Sequence, residues 1–452
     1  MERRALPQYS LPRVTARPWR VRITPQSLRP FSLFEPDETV NLTLSNAGGT
    51  GQLGAPSTAV LTIRNDDAQG GIISFSQANY SVNEDAGFLT ITVNRSGDTT
   101  GAATVDYATS DDSDPATMVS CVPPSGGIAS SRCDFTTAAG TLRFAAGETS
   151  KTFVALISQD SYVEGPEGFP VTLSNLTGGA VFAAPSTAIV TINDVAPALP
   201  GNVIDIAEIF VRQHYRDFLN READPSGLQF WTNEITSCGA NALCIDVKRL
   251  NVSAAFFLSI EFMETGGFAI RTQRAALGKK SQDSATRMTY LQFMSDAQFL
   301  GNGVIILQPG ADAKLNANKD AYATQVVTST AFMNAYQAGL TADQFVTALF
   351  NTAGITPTGA ERTAAVNAFG AGGTAGRVAA LRSVADSSSL RTAEFSSSFV
   401  LLEYFGYLRR NPDPAGYNFW LNKLNGFNGN FVNAEMVKAF ISSSEYRRRF
   451  GP

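Results

Sequence analysis

The chain has 452 residues, 44% of them hydrophobic, and 35 Lys and Arg stand against 40 Asp and Glu for a net charge of −5. That is length for about three domains at ~150 residues each, an acidic balance that argues against a dedicated nucleic-acid binder, and no apolar run of the roughly 18 residues needed to cross a bilayer. The single histidine, His214, excludes multi-histidine zinc sites and would have to carry any Ser-His-Asp or Cys-His catalysis alone.

Residues 1–31 carry seven Arg, five Pro and one acidic residue and match nothing downstream. Similarity to the rest of the chain begins abruptly near Ser32, which predicts a mis-set or out-of-frame start and a truncated N-terminus. The alternative is a disordered basic arm. Neither has the apolar stretch of a signal peptide.

From about 32 to 195 the sequence reads as strands. Alternating runs such as Phe88-Leu-Thr-Ile-Thr-Val93 and Thr187-Ala-Ile-Val-Thr-Ile192 are bounded by Gly, Asn, Asp and Ser, which predicts an antiparallel sandwich. Residues 35–63 realign with 164–192 at a constant offset of 129. Thr43-Leu-Ser-Asn46 matches Thr172-Leu-Ser-Asn175, and Ala55-Pro-Ser-Thr-Ala59 matches Ala184-Pro-Ser-Thr-Ala188. Residues 32–68 are therefore expected to be the C-terminal part of a β domain whose complete copy is 71–195.

The complete copy holds 13 acidic and 4 basic side chains, with the carboxylates at strand ends. Unneutralised, such a set repels itself; Ca²⁺ takes six to eight oxygens from several loops. Val82-Asn-Glu84, Asp134-Phe135, Gly140-Thr-Leu-Arg-Phe144, Gly147-Glu-Thr-Ser-Lys151, Glu164-x-x-Glu-x-Phe169 and Pro185-Ser-Thr-Ala-Ile-Val-Thr-Ile192 resemble the Calx-beta domain. The resemblance implies an immunoglobulin-like sandwich and Ca²⁺ ligands at Glu84, Asp111 or Asp112, Asp134, Asp160, Glu164 and Asp194, with Asp66 and Asp67 contributing at the junction of the two β units. The closing acidic triplet of the family survives as Asn65-Asp66-Asp67 but shrinks to Asp194-Val195-Ala196 in the complete copy. An insertion over roughly 115–132 carries Cys121, with Cys133 at its end. The four cysteines fall in two tight pairs, Cys121/Cys133 and Cys238/Cys244, neither of them C-x-x-C, which favours local disulfides in an oxidising compartment over zinc.

Ala196-Pro-Ala-Leu-Pro-Gly201 reads as the core of a linker over 196–205. From 206 to 452 apolar residues recur at helical spacing, as in Phe210, Val211, His214, Tyr215, Phe218 and Leu219, so this half is expected to be all-helical. Phe-Val-x-x-x-(Tyr/Phe) occurs at Phe210, Phe345 and Phe399, giving repeats near 206–262, 345–385 and 395–450. Asp224 and Asp413 each precede Pro and are expected to cap helices whose Leu228, Phe230, Trp231 and Tyr417, Phe419, Trp420 turn inward. His214 is expected to be a buried core residue. Tyr215-x-x-x-Leu219-Asn-Arg-Glu-Ala-Asp-Pro-Ser-Gly-Leu-x-Phe-Trp231 and its counterpart Tyr404–Trp420 resemble the DUF4214 repeat of bacterial exported and surface proteins, which implies a setting and no chemistry.

The expected function is therefore non-enzymatic: an exported or cell-surface modular protein in which a Ca²⁺-binding spacer precedes a helical docking module, with a role in adhesion or cell communication. The partner would be a surface protein or polysaccharide, with no nucleic acid and no transmembrane segment. The alternative is a carbohydrate-binding module gripping cell-wall or matrix sugars through Trp231 and Trp420. Carboxylate pairs such as Glu164/Glu167 lack a matching substrate motif.

Overall fold

The computed structural model describes residues 37–64, 70–111, 121, 127–195, 201–278 and 288–452. The expectations placed on 1–31, on Asp66, Asp67 and Asp112, and on most of the insertion lie outside the described residues. The chain forms two compact units, 1–67 and 68–452.

In the first unit, β1 (Glu38–Thr43) pairs antiparallel with β2 (Thr58–Ile63), Glu38 opposite Ile63 and Thr43 opposite Thr58. Val40, Leu42, Leu61 and Ile63 are exposed.

The second unit begins with a β-sandwich of nine strands: β3 (Ile72–Phe75), β4 (Asn79–Asn83), β5 (Phe88–Ser96), β6 (Ala103–Thr109), β7 (Ala139–Phe144), β8 (Ser150–Leu156), β9 (Glu167–Ser174), β10 (Val181–Phe182) and β11 (Thr187–Asn193). Strand order is β10-β3-β5-β8 in one sheet and β4-β11-β9-β6-β7 in the other. Alternation places the core: Ile91 and Val93 of β5, Phe169, Val171 and Leu173 of β9, and Val190 and Ile192 of β11 all point between the sheets. Each fully buried apolar side chain of this kind contributes about 1.5–3 kcal/mol. The sandwich is not wholly antiparallel as expected: β3 pairs parallel with β10, and β4 with β11. Alternation fixes which face a residue takes but not the direction of the neighbouring strand. β9 and β11 repeat the pairing of β1 and β2 at the offset of 129, with Glu167 opposite Ile192 and Thr172 opposite Thr187.

Everything described after residue 201 is helical or loop. Val203 and Ile204, in a short 3₁₀ turn, are already sunk in the helical core. The helices are α1 (Ala207–Leu219), α2 (Pro225–Thr236), α3 (Ala242–Phe257), α4 (Ile260–Leu277), α5 (Tyr290–Gly301), α6 (Ala311–Thr328), α7 (Thr330–Ala335), α8 (Ala342–Ala353), α9 (Gly359–Phe369), α10 (Gly373–Ala385), α11 (Ser388–Glu403), α12 (Pro414–Gly426), α13 (Met436–Ile441) and α14 (Ser444–Arg447). A π-helical turn, Tyr404–Leu408, extends α11.

The Asp224 carboxylate accepts from the Gly227 N–H at 2.8 Å, and Asp413 accepts from Gly416 at 2.7 Å. Trp231 and Trp420 are half-buried against Phe256 and Phe440, with ring centroids 5.5 and 5.3 Å apart. Phe230 and Phe419 do not turn inward as expected; they are 57% and 60% exposed. Each lies one helical step, about 100°, before its tryptophan, so the two cannot share the buried stripe. Both disulfides are formed, Cys121–Cys133 and Cys238–Cys244.

Candidate metal centre

Four loops meet at one pole of the sandwich. The first follows β4, where the 3₁₀ turn Glu84–Ala86 buries Glu84. The second is the turn 130–135. Here the Ser130 carbonyl accepts from the Asp134 N–H at 2.9 Å, and Asp134 Oδ2 accepts from the Ser130 N–H at 2.5 Å. Phe135 anchors this turn by stacking on Phe169 in the core, ring centroids 3.9 Å apart. The third loop follows β8 and carries Asp160, whose Oδ1 accepts from the Tyr162 N–H at 2.7 Å. The fourth follows β11, where Asp194 Oδ2 accepts from the N–H groups of Glu164 and Gly165 at 2.7 and 2.5 Å.

One carboxylate oxygen each from Asp134, Asp160 and Glu164 comes within 4.8 Å of the other two. Glu84 closes on this trio by accepting from the Asp160 N–H. Asp111 stands at the edge of the same pole, accepting from the Ser131 N–H at 2.8 Å. Glu167, at the start of β9, is buried and adds its negative charge to Asp134, Asp160 and Glu164. It was not expected among the ligands, although the pattern Glu164-x-x-Glu167 stands in the sequence.

The electrostatic consequence is uniform. Burial, then the Asp194 and Glu164 charges, push the Glu84 carboxyl up to about 7 against the backbone hydrogen bond from Asp160. Burial and neighbouring carboxylates push Asp160 and Glu164 up to about 8 and Asp134 well above its ordinary value. Such a group holds either protons or a cation. The donors are carboxylate oxygens from separate loops, the hard-ligand set that suits Ca²⁺.

The helical half closes over this pole. Arg409 donates from Nε to Asp217 Oδ1 at 2.9 Å, from Nη1 to the Phe135 carbonyl at 2.9 Å and from Nη2 to Thr136 Oγ1 at 2.7 Å. Arg449 donates to the Arg132 carbonyl at 2.7 Å and to both Asp217 oxygens. Burial would raise the Asp217 carboxyl, but Arg449 and Arg409 hold it below its ordinary value. Sequence reading missed this triad. The available signal was that Asp217 and Arg409 are two places where the first and last helical repeats differ, since at the offset of 189 they align with Gly406 and Asn220.

Within the helical core His214 is fully buried. Its Nδ1 bonds the Phe210 carbonyl at 2.7 Å and its Nε2 the Ser253 hydroxyl at 2.9 Å, and burial pushes the ring down to about 4.

The Calx-beta domain family matches residues 66–196, so that match covers the second β unit and not the hairpin. A domain of unknown function, DUF4214, matches 204–265 and 385–450. Extracellular matrix protein 3 of Lytechinus variegatus is 32% identical over 172 residues, which are 37% of this chain and 5% of that protein. The chain thus spans a small part of the length of this curated relative. Among solved structures, the apo-form Calx CBD1 domain is 29% identical over 27% of this chain and 96% of its own, with a TM-score of 0.24. The calcium binding domain CBD12 of CALX1.1 is 28% identical over 27% of this chain and 45% of its own, with a TM-score of 0.22. No helix among the described residues is long and apolar enough to cross a membrane.

Proposed function

Proceeding from a Calx-beta domain at 66–196, we propose that this is a non-enzymatic, extracellular modular protein whose sandwich binds Ca²⁺ and whose helical half docks a surface protein or polysaccharide, in an adhesive or cell-communication role. Asp134, Asp160 and Glu164 are the central ligands, Glu84 and Asp194 complete or orient them, and Asp111 or Asp112 contributes from the rim. The hairpin β1–β2 is the closing part of a second sandwich of the same kind, with Asp66 and Asp67 at the junction. Its register and exposed apolar face support that reading.

The observation that carries the Ca²⁺ assignment is the convergence of the Asp134, Asp160 and Glu164 oxygens within 4.8 Å at a buried pole. An extracellular setting is supported by the two disulfides and by the named matrix relative.

Thermal unfolding of the full chain in Ca²⁺ and in excess chelator tests it. Ca²⁺ at 100 times its dissociation constant stabilises the folded state by about 2.7 kcal/mol, and Glu164→Ala with Asp194→Ala abolishes the difference. Superimposable curves with and without Ca²⁺ would remove the assignment.

A further inference from the structure

The turn that carries Asp134 is not held by the sandwich alone. Arg409, 1% exposed, reaches out of the helical half to the carbonyls of Ser131 and Phe135 and to the Thr136 hydroxyl. Arg449 takes the Arg132 carbonyl, and Arg132 itself pairs with Glu445 at 2.6 Å. The loop that carries Asp160 is held in the same way. The Phe450 carbonyl accepts from the Ser161 N–H and hydroxyl, each at 3.2 Å, and the Tyr162 hydroxyl donates to the Arg448 carbonyl at 3.1 Å. Beside Glu84, Gly87 lies so close to the helical half that a Cβ there would stand 3.1 Å from the Arg216 guanidinium. Three of the four loops at the acidic pole therefore rest on helical residues.

Comparison of the two helical repeats shows that this contact is built rather than incidental. Asn220 and Arg409 occupy the same left-handed turn, with φ of 51° and 50°. Asparagine tolerates that conformation, whereas a long side chain pays roughly 1–2 kcal/mol for it. Arg409 stands there nevertheless, and its partner Asp217 replaces the glycine of the other repeat. The two departures from the repeat bond each other and then the turn beside Asp134.

We infer that the helical half is part of the cation site: Arg409, fixed by Asp217 and supported by Arg449, positions the Asp134 turn, so that Ca²⁺ uptake and docking of the helical half on the sandwich are one coupled event. This rests on the Ca²⁺ reading above and adds its regulation. Coupling is reciprocal: what tightens the docking tightens Ca²⁺, and Ca²⁺ tightens the docking. Arg409 is a positioning residue and contributes no ligand atom.

The test uses the full chain and Ca²⁺ alone. Calorimetric titration compares wild type with Arg409→Asn, which installs the residue the first repeat carries at this turn. The variant keeps wild-type helical circular dichroism and binds Ca²⁺ roughly tenfold or more weakly, within the usual range of site coupling. In parallel, hydrogen exchange in wild type slows on Ca²⁺ addition at 407–410 and 446–451, far along the chain from every carboxylate of the pole. This second reading decides the matter should the variant not fold. Wild-type affinity in Arg409→Asn, or exchange at those segments indifferent to Ca²⁺ that the protein demonstrably binds, overturns the coupling. A wild type that takes up no Ca²⁺ overturns the site itself, and the coupling with it.

Discussion

Glu84 turns its carboxylate onto the backbone N–H of Asp160, tying the loop after β4 to the loop after β8 through a charge that burial and two neighbouring carboxylates oppose. The same opposition lifts Asp134, Asp160 and Glu164, and it fixes the sign of the pH dependence. A carboxyl raised above its unfolded value binds more protons folded than unfolded, so its contribution is full below about 4.5 and is lost as pH rises through about 7 to 8. In chelator, the sandwich is expected to lose stability between pH 5.5 and 8.5. In Ca²⁺, the carboxylates release those protons to the solvent, and stabilisation by the ion grows over the same interval. Denaturant midpoints at the two pH values, each with Ca²⁺ and with chelator, measure both slopes. A flat profile in chelator would show that these carboxylates are not raised.

Asp217 accepts from Arg409, Arg449 and Gln213, with neither its own side chain nor that of Arg449 exposed. Replacing it by Asn keeps the shape and removes the charge that both guanidiniums face. Breaking a buried pair from one side costs about 3–5 kcal/mol, so Asp217→Asn is expected to lower the unfolding free energy of the full chain by that order. A loss under about 1 kcal/mol would mean that the two arginines are neutralised by water and carbonyls alone.

What the sequence made legible follows from period. Alternation in Phe88–Val93 and Thr187–Ile192 marks strands and their inward faces, and the 129-residue offset anticipates that β1–β2 and β9–β11 share one register. The helical stripe through Phe210, His214 and Phe218 likewise marks a buried face. Neither period carries the direction of a neighbouring strand, which is why the parallel pairs β3–β10 and β4–β11 went unseen. Nor does a period indicate which loop of one half meets the other. Arg409 reads as an ordinary member of a charged Arg-Arg pair until its left-handed φ and its carbonyl partners are seen.

Glu403 ends α11 fully buried, and neither carboxylate oxygen makes a hydrogen bond. Burial holds it well above its ordinary value, so it folds as the neutral acid and its contribution is lost as pH rises above about 4.5. Glu403→Met replaces it with an unbranched side chain of similar length and no unsatisfied atom. The variant is expected to gain about 1–3 kcal/mol, more at pH 9 than at pH 5. Paired denaturation curves at the two pH values check this, and a destabilised variant would indicate that the carboxyl meets a buried water.

The recurrent Asp-Pro-x-Gly of the first and last repeats combines a cap with a space requirement. Asp224 and Asp413 satisfy the N–H three residues on, and losing such a cap costs about 1 kcal/mol. The glycine is needed for a different reason. A Cβ on Gly227 would fall 2.1 Å from the Tyr215 hydroxyl, and one on Gly416 would fall 2.3 Å from the Tyr404 hydroxyl, so each tyrosine of α11 or α1 packs its oxygen into the space that a side chain would fill. Gly227→Ala is expected to cost about 1–3 kcal/mol by overpacking, and Tyr215→Phe in the same chain to recover most of it by removing the colliding atom. Equilibrium unfolding of the two single variants and the double variant gives the interaction energy directly. Simple additivity would mean that the glycine serves the backbone of α2 and not the ring above it, and that the spacing from Tyr215 to Gly227, repeated from Tyr404 to Gly416, needs another cause.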